Sequence, residues 1–359
     1  MINLVIPARS DAEGRHVVRL NEMGPAAPGP RDAMLVKAGA GRKLFSSAFG
    51  LLEVENVDDA TFHRDVVSVD PQRGTAERLI RASSPHNTFL ATERCDQLCS
   101  MCSQPPKKTH DDRWEEYAAA ASLAPIGALL GISGGEPTLY KDELFRFLAD
   151  AHGVRPDLAW HVLSNGQHFD VADIAILSSE SFSKVTWGVP LYAAEADLHD
   201  EIVGKGGAFE RLNLGLDILL RAGAHVELRT VILAQNLHDL PALGRYAALR
   251  LGFCDQWSIM QLEAIGFAKN RFSELYVPTA SHFGPIAEAI DAAELYGLPV
   301  ALFNFPRCQV PQSYRRHAAA SISDWKRKYA EPCGRCSEQR LCGGFFEWHP
   351  DSAIEVAPL

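Results

Sequence analysis

The sequence lacks any long hydrophobic run and any excess of basic residues. Its longest apolar stretches, such as 124–132, fall far short of the roughly 18 to 20 residues that a membrane-spanning helix needs, so we expect no membrane association. Lys and Arg number 35 against 45 Asp and Glu, and the formal charge of −10 argues against a nucleic-acid-binding protein. No basic and apolar leader pattern follows Met1, so we expect a cytoplasmic protein.

The sequence also lacks internal repeats and low-complexity tracts, which excludes solenoids and linker-like chains. What it has is an ordinary globular composition, with 47% hydrophobic and 22% charged residues. A chain of 359 residues is long enough for one large domain and a smaller one. Disorder is therefore excluded as the main state of the chain.

Eight cysteines fall into two clusters and one isolated position. Without a secretion signal they do not indicate disulfides, because cytosolic thiols are kept reduced, and metal ligation is the better interpretation. Cys254 stands alone and is expected to be a small buried residue. The first cluster consists of Cys95, Cys99 and Cys102, and the second of Cys308, Cys333, Cys336 and Cys342.

From about residue 86 short apolar runs alternate with helical segments, which predicts an α/β fold of parallel strands joined by crossover helices. Such a sheet either stays open or curls into a barrel, and its site forms at the carboxyl ends of the strands. The segment 209–221 between the fourth and fifth strands predicts a helix capped by Gly223. Six strands are predicted, at 88–92, 127–133, 159–164, 184–189, 225–233 and 256–262.

Two flanking regions differ in their hydrophobic pattern from the α/β region that begins at about residue 86. Residues 1–85 carry short alternating segments and predict a small β-rich module, either a lid or a peptide-docking unit whose edge strand would capture an extended peptide. Residues 267–359 begin with a linker helix and a strand-like run at 299–305, then become rich in Cys and Gly. This tail is too irregular to be held together by burial alone, and a metal centre would stabilise it.

Three motifs follow the first three predicted strands in order. The cysteines of the first cluster come after strand one, Ser133-Gly-Gly-Glu-Pro137 after strand two, and Ser164-Asn-Gly166 after strand three. Three soft thiolates within eight residues can hold three corners of an iron-sulfur cubane and leave one iron open. Buried thiols or a zinc site are the alternatives for the cysteines, and turns or a helix cap for the other two motifs, taken singly.

The order of these motifs resembles the radical S-adenosylmethionine (AdoMet) superfamily over roughly residues 88–266. The resemblance implies a partial (β/α)6 barrel and a catalytic 4Fe-4S cluster held by Cys95, Cys99 and Cys102. It implies that Gly134, Gly135 and Glu136 contact the amino group of AdoMet, and that Met101 packs near its adenine. The other implied AdoMet contacts are Ser164, Asn165, Asn236 and Leu262.

The second cysteine cluster has a C-x2-C-x5-C core with Cys308 upstream. Taken alone, four thiolates indicate a structural zinc site as readily as any other centre, because they close a tetrahedral coordination shell. Behind a radical AdoMet barrel the cluster resembles the SPASM/Twitch extension. That resemblance implies one auxiliary 4Fe-4S cluster with all four thiolates as ligands, serving electron transfer or the architecture of the substrate pocket.

Four further segments resemble the His-Xaa-Ser system radical AdoMet maturases of the HxsC type, so that the resemblance extends over nearly the whole chain. It implies modification of a ribosomally made precursor peptide, with partner maturation proteins and an electron donor such as flavodoxin or ferredoxin. An anaerobic sulfatase maturase and a non-catalytic zinc-binding adaptor are the alternatives. The segments are 101–106, 304–308, 321–326 and 342–346.

Overall fold

The computed structural model describes residues 3–24, 28–39, 41–55 and 61–359. All eight cysteines lie in this part of the chain, and none of them forms a disulfide there. None of the helices within these ranges combines the length and the apolar character that crossing a membrane would require.

The N-terminal strands form a closed barrel. Seven strands of the described residues take part: β1 (Val5–Ser10), β2 (His16–Asn21), β3 (Asp32–Gly39), β4 (Arg42–Ser47), β5 (Gly50–Glu55), β6 (Val66–Asp70) and β7 (Thr75–Ile80). They close in the order β1-β5-β4-β3-β2-β6-β7. Alternate residues of these strands, Phe45, Leu52 and Val54 among them, point into an apolar core.

Closure of this barrel corrects one expectation from the sequence. Capture of an extended peptide by β-addition needs a strand edge with unpaired backbone groups. In the structure β1 hydrogen-bonds to β5 on one side and to β7 on the other, so the ring of seven strands is complete. The prediction of an edge strand that binds peptide is therefore wrong for the described residues of this module.

The second sheet contains the strands that the sequence predicted. In chain order they are β8 (Asn87–Thr92), β9 (Leu129–Gly134), β10 (Ala159–Leu163), β11 (Val185–Pro190), β12 (His225–Val231), β13 (Gln256–Met260) and β14 (Val300–Phe303). Their order in the sheet follows their order in the chain, and β11 to β14 pair in parallel. The α/β class and all six predicted strands are confirmed.

The predicted number of six strands is one too few. The run at 299–305 was expected to lie beyond the barrel, yet β14 continues the sheet by pairing with β13, Trp257 opposite Val300. The physical reason is burial, because Leu302 is fully buried and its strand carries the alternating pattern of a half-buried edge. The sheet is open, as a partial barrel requires.

Helices connect most of the strands. They are α1 (Trp114–Ser122), α2 (Lys141–Val154), α3 (Ile174–Leu177), α4 (Ala196–Val203), α5 (Ala208–Ala222), α6 (Leu240–Arg250), α7 (Phe267–Asn270), α8 (Phe272–Leu275) and α9 (Gly284–Leu295). Helix α5 is the one predicted at 209–221, and it ends on Gly223 in the left-handed conformation with φ of 65°. A short hairpin of β15 (Arg327–Lys328) and β16 (Phe345–Phe346) follows.

The chain packs into two compact units. The first contains the N-terminal barrel together with Asp111–Ile132 and Asp142–Trp160. Within it, helix α1 is tied to the barrel by the carboxylate of Glu116, which accepts hydrogen bonds from Arg15 at 2.9 Å and from Ser68 at 2.6 Å.

The second unit contains Thr92–His110, Ser133–Lys141 and His161–Leu359. Its strands have two faces of different chemistry. One face is apolar and fully buried, with Trp187, Leu228 and Trp257 at 0% exposure. The opposite face of β12 and β13 carries polar side chains, among them Glu227, Arg229 and Ser258. All three motifs singled out in the sequence belong to this unit, so their geometry can be described within one body.

Candidate active site

The first cysteine cluster lies on a loop that begins directly after β8. Cys95, Cys99 and Cys102 are all partly buried. Backbone hydrogen bonds hold the loop against the end of α4, with the amide of Leu98 donating to the carbonyl of Val203 at 3.0 Å. The amide of Cys102 donates to the carbonyl of Cys99 at 3.0 Å, which closes a turn between the second and third cysteines. Backbone contacts thus hold the three thiols on one short loop.

Gly266 supports the same loop from the segment after β13. The amide of Phe267 donates to the carbonyl of Cys102 at 2.9 Å. Gly266 has a φ of +61°, and a Cβ there would lie 2.2 Å from the carbonyl oxygen of Cys102. Only glycine satisfies both the backbone conformation and the close approach. The end of the sixth predicted strand therefore positions the third cysteine.

Burial controls the chemistry of the three thiols. It raises the pKa of Cys95 to about 11 and that of Cys99 to about 12, and it also raises the pKa of Cys102. The charges of the neighbouring Cys102 and Cys95 thiol groups raise the pKa of Cys99 further. Thiolates at neutral pH would need a compensating positive charge, and iron supplies it while releasing the protons. Three soft donors grouped in this way fit an iron-sulfur cluster.

The Gly-Gly-Glu-Pro motif follows β9 and contacts the chain just before the cysteines. The amide of Gly135 donates to the carbonyl of Thr92 at 2.7 Å, and the amide of Glu136 to the carbonyl of Arg94 at 2.7 Å. A Cβ on Gly135 would lie 2.1 Å from the carbonyl oxygen of Arg94. The resemblance implied that Gly134 and Gly135 contact AdoMet, and this contact stays a prediction. In the structure, Gly135 admits the backbone that leads into Cys95.

The carboxylate of Glu136 joins the ends of two strands. It is fully buried and accepts hydrogen bonds from the backbone amide of Thr138 at 2.9 Å, the hydroxyl of Ser164 at 2.8 Å and the backbone amide of Asn165 at 2.5 Å. The hydroxyl of Thr138 donates as well. Burial raises the pKa of Glu136 despite these bonds. Glu136 therefore links the second motif to the third through buried hydrogen bonds.

Asp96 is a charged residue of this site that sequence reasoning missed. It lies between the first two cysteines, and its carboxylate accepts a hydrogen bond from the side-chain amide of Asn165 at 2.8 Å. It also pairs with Lys205 and, at 3.2 Å, with His168. Burial opposes ionisation, but the interactions with the neighbouring His168 and Lys205 outweigh it and hold the pKa of Asp96 well below its usual range. The third motif is thereby tied to the cysteine loop, and Asn165 uses its amide for this contact.

Met101 and Leu262 meet in one apolar cluster, although they are 161 positions apart in the sequence. The cluster also contains Tyr192 and is packed against Cys99. This arrangement keeps apolar side chains beside the second cysteine. Whether Met101 and Leu262 contact an adenine ring stays a prediction.

Asn236 lies in the backbone around the end of β12. It is fully buried, and its side-chain amide donates to the carbonyls of Tyr192 at 3.0 Å and Val231 at 3.1 Å. Its side-chain oxygen accepts from the amide of Leu233 at 2.8 Å. All polar atoms of this side chain are used by the backbone around the end of β12. A contact of Asn236 with ribose stays a prediction.

The second cysteine cluster lies around one cavity. Its wall includes side chains from the segment before β15, from the loops between β15 and β16, and from residues near 356–358. Across the described residues, no three His, Cys, Asp or Glu side chains converge as a site for a single metal ion. The four cysteines of the second cluster, Cys308, Cys333, Cys336 and Cys342, all line this one cavity.

Backbone amides point at two of these sulfurs. The amides of Arg307 and Gly344 donate to the sulfur of Cys342 at 3.3 and 3.4 Å, and the amide of Leu359 donates to the sulfur of Cys336 at 3.5 Å. Burial raises the pKa of Cys308 and of Cys333. Amide donors stabilise thiolate ligands and tune the potential of iron-sulfur clusters. The cavity therefore has the donor chemistry of an auxiliary cluster site.

Comparisons with known proteins agree with this geometry. No family model matches the sequence. A stretch of 121 residues is 31% identical to the AdoMet-dependent heme synthase of Methanosarcina barkeri (strain Fusaro / DSM 804), covering 33% of this chain and 33% of that protein. The chain thus matches one third of the length of that curated relative.

Solved structures extend the similarity to most of the chain. Native anSMEcpe with bound AdoMet aligns with a TM-score of 0.54 at 14% identity, over 75% of this chain and 91% of that one. The same protein with AdoMet and a Cp18Cys peptide gives 0.53 over the same shares. SuiB of Streptococcus suis bound to S-adenosylmethionine gives 0.50 at 15% identity, over 62% and 51%.

This chain has the radical AdoMet fold. The aligned proteins bind AdoMet in their crystals, and the sequence relative is a synthase that depends on it. These similarities show the fold. They do not extend to the finer His-Xaa-Ser family, which stays a prediction from the sequence.

Proposed function

We propose that this chain is a radical AdoMet enzyme. The observation that carries the proposal is the group of three partly buried thiols on one loop after β8, next to the strand-end motifs braced by Glu136. Cys95, Cys99 and Cys102 would hold a 4Fe-4S cluster with one iron open to AdoMet. When bound, this cluster supplies one electron that cleaves AdoMet and yields a 5′-deoxyadenosyl radical able to abstract hydrogen.

The residues around the cluster have separate tasks in this proposal. Asp96 fixes the cysteine loop through Lys205 and Asn165. Met101 and Tyr192 keep water from the side of Cys99, because both are at least nine-tenths buried beside it. Exclusion of water limits side reactions of a radical with solvent.

The substrate that we propose is a ribosomally made peptide, modified in a reaction of the His-Xaa-Ser type. Support comes from the resemblance of four segments to that family and from the similarity in fold to anSMEcpe, which was crystallised with a Cp18Cys peptide. Partner maturation proteins and a flavodoxin or ferredoxin belong to the same proposal.

The test is a reaction with reconstituted protein in the absence of oxygen. Purified protein is given iron, sulfide, a reductant, AdoMet and a panel of short peptides, among them His-Xaa-Ser repeats and sulfatase-derived sequences. We expect deoxyadenosine in every reaction and a mass change in the His-Xaa-Ser peptides. A change confined to the sulfatase peptides would favour a sulfatase maturase, and a colourless protein that holds zinc and no iron would contradict the proposal.

We also propose that the second cavity holds an auxiliary 4Fe-4S cluster. Its four thiols would complete the coordination of that cluster, so that it would transfer electrons or shape the peptide pocket without binding substrate through iron. The amide bonds to Cys336 and Cys342 support this assignment.

Replacing Cys333 and Cys336 together with Ala should separate the two clusters. We expect the variant to lose about four iron atoms per chain, since a cubane holds four, and to lose peptide modification. Some AdoMet cleavage should survive, because the loop after β8 is intact. Iron analysis and chromatography of deoxyadenosine check both expectations. Complete loss of cleavage in folded protein would contradict an auxiliary role.

A further inference from the structure

The segment that holds most of the second cysteine cluster differs in charge from the rest of the chain. Residues 326–342 carry five basic side chains against two acidic ones, whereas the whole chain has 35 Lys and Arg against 45 Asp and Glu. A local excess of positive charge on an acidic protein attracts negatively charged partners and repels positive ones. The proposed function gives this charge no task.

Two arginines carry much of this charge at the surface. Arg335 and Arg340 are both exposed. Among the described residues neither has a salt-bridge partner, and Glu338, the acidic residue between them, pairs with Arg307 at 2.6 Å. The two guanidinium groups therefore present positive charge that the protein itself does not neutralise.

An exposed leucine lies beside the second arginine. Leu341 follows Arg340 directly and is 61% exposed. Interfaces for electron transfer are small, and interfaces in general place apolar contacts inside a polar rim. A large apolar side chain next to unpaired cations has this composition. Arg335, Arg340 and Leu341 are called the basic surface below.

The basic surface belongs to the loop that carries three of the four cysteines. The amide of Cys336 donates to the carbonyl of Cys333 at 3.1 Å, which closes a turn around Arg335. Leu341 precedes Cys342 in the chain. A protein bound to the basic surface would therefore lie within a few residues of the thiols. Because the rate of electron transfer falls steeply with distance, such a partner is well placed to exchange electrons with a cluster held there.

The loop of the first cysteine cluster has a different charge. Residues 93–112 carry three basic side chains against four acidic ones. Lys107 pairs with Glu93 at 2.6 Å, and Lys205, which reaches this loop from another segment, pairs with Asp96. Electrostatic attraction of an acidic partner therefore favours the second cluster over the first.

We propose that the basic surface is the docking site of a small acidic electron-carrier protein, which delivers electrons to the auxiliary cluster. The proposal rests on the proposed function, from which it takes that cluster. In the transfer, a reduced ferredoxin loses one electron and becomes oxidised, and the oxidised auxiliary cluster gains the same electron. No covalent bond forms or breaks in this step.

Binding is measured separately from catalysis. An acidic ferredoxin is immobilised, and its affinity for reconstituted wild type and for the Arg335→Glu, Arg340→Glu variant is measured at ionic strengths of about 0.01 M and about 0.15 M. We expect the variant to bind about tenfold or more weakly at the lower ionic strength, because two attractive charges become repulsive. Salt should weaken wild-type binding more than variant binding. Dissociation constants that agree within about twofold would overturn the docking site.

A second readout separates electron delivery from AdoMet cleavage. Deoxyadenosine formation is followed with reduced ferredoxin, and in parallel with dithionite, a small reductant that needs no docking site. We expect the variant to need about tenfold more ferredoxin for its half-maximal rate and to keep the wild-type rate with dithionite. An unchanged dependence on ferredoxin would contradict delivery at the basic surface. No deoxyadenosine from wild type with dithionite would contradict the proposed function instead, while the binding constants would still test the surface.

Three further variants keep the test decisive. Arg245→Glu, Arg250→Glu changes two exposed arginines of α6 with the same spacing and should bind ferredoxin like wild type. Arg335→Lys, Arg340→Lys keeps both charges and should also bind like wild type. If the glutamate variant of the basic surface does not hold the iron content of wild type, Arg335→Gln, Arg340→Gln replaces it, with an expected loss of affinity of about threefold or more. An α6 variant that binds as weakly as the variant of the basic surface would show attraction by total charge alone and overturn the proposal.

Discussion

Replacing Cys95, Cys99 and Cys102 together with Ala is expected to abolish the formation of deoxyadenosine. The three thiols are the only cysteines of the loop after β8, and without them no iron can be held beside the strand ends. The variant should also contain about four fewer iron atoms per chain than wild type. Deoxyadenosine is measured by chromatography after anaerobic incubation with AdoMet and dithionite.

Cys254 offers the matched control for this experiment. It is 4% exposed, it belongs to neither cluster, and burial raises its pKa to about 12. Cys254→Ala should retain the iron content and AdoMet cleavage of wild type. Undiminished deoxyadenosine in the triple variant would show that the cluster ligands are assigned to the wrong residues.

Glu136→Ala is expected to lower the free energy of unfolding by about 3–5 kcal/mol, which is the range for breaking a buried polar network. Four donors, from Thr138, Ser164 and Asn165, would lose their acceptor inside the protein. Glu136→Gln should cost less, because one oxygen remains to accept. Urea denaturation of anaerobically purified protein, followed by fluorescence, measures both differences.

Glu210 provides the comparison for this prediction. It is an exposed carboxylate in the first turn of α5, so its replacement by Ala removes only a helix-dipole interaction of about 0.3–1 kcal/mol. If Glu136→Ala unfolds at the same urea concentration as Glu210→Ala, Glu136 does not brace the strand ends. If Glu136→Ala does not fold, Glu136→Gln takes its place in the comparison. A Glu136→Gln variant that loses less unfolding free energy than Glu210→Ala would then contradict the account.

The sequence predicted the strands and the grouping of their motifs because both depend on local patterns. Apolar runs of strand length mark buried strands, and parallel strands bring their carboxyl ends to one edge. The meeting of Glu136 with Ser164 and Asn165 follows from that rule. The same rule does not tell what a motif contacts, so the close approach of Gly135 to the backbone before Cys95 emerged only from the structure.

The features that sequence analysis missed all depend on contacts between distant segments. Lys205 reaches Asp96 across 109 positions, and His161 reaches Glu227 across 66. No spacing rule connects such residues. The one available signal was charge on a strand, because Glu227 and Arg229 alternate with Val226 and Leu228 in β12. β14 was misplaced for a related reason, since pairing with β13 is set by the whole sheet.

The central claim is that one iron of the first cluster is open to AdoMet, and pulsed electron-nuclear double resonance tests it most directly. The reconstituted wild type is reduced and mixed with AdoMet labelled with 15N in the amino group or 17O in the carboxylate. The Cys333→Ala, Cys336→Ala variant isolates the first cluster. We predict hyperfine coupling from both labels to the reduced cluster. A cluster that shows no coupling to either label, or a fourth ligand supplied by the protein, would contradict the account.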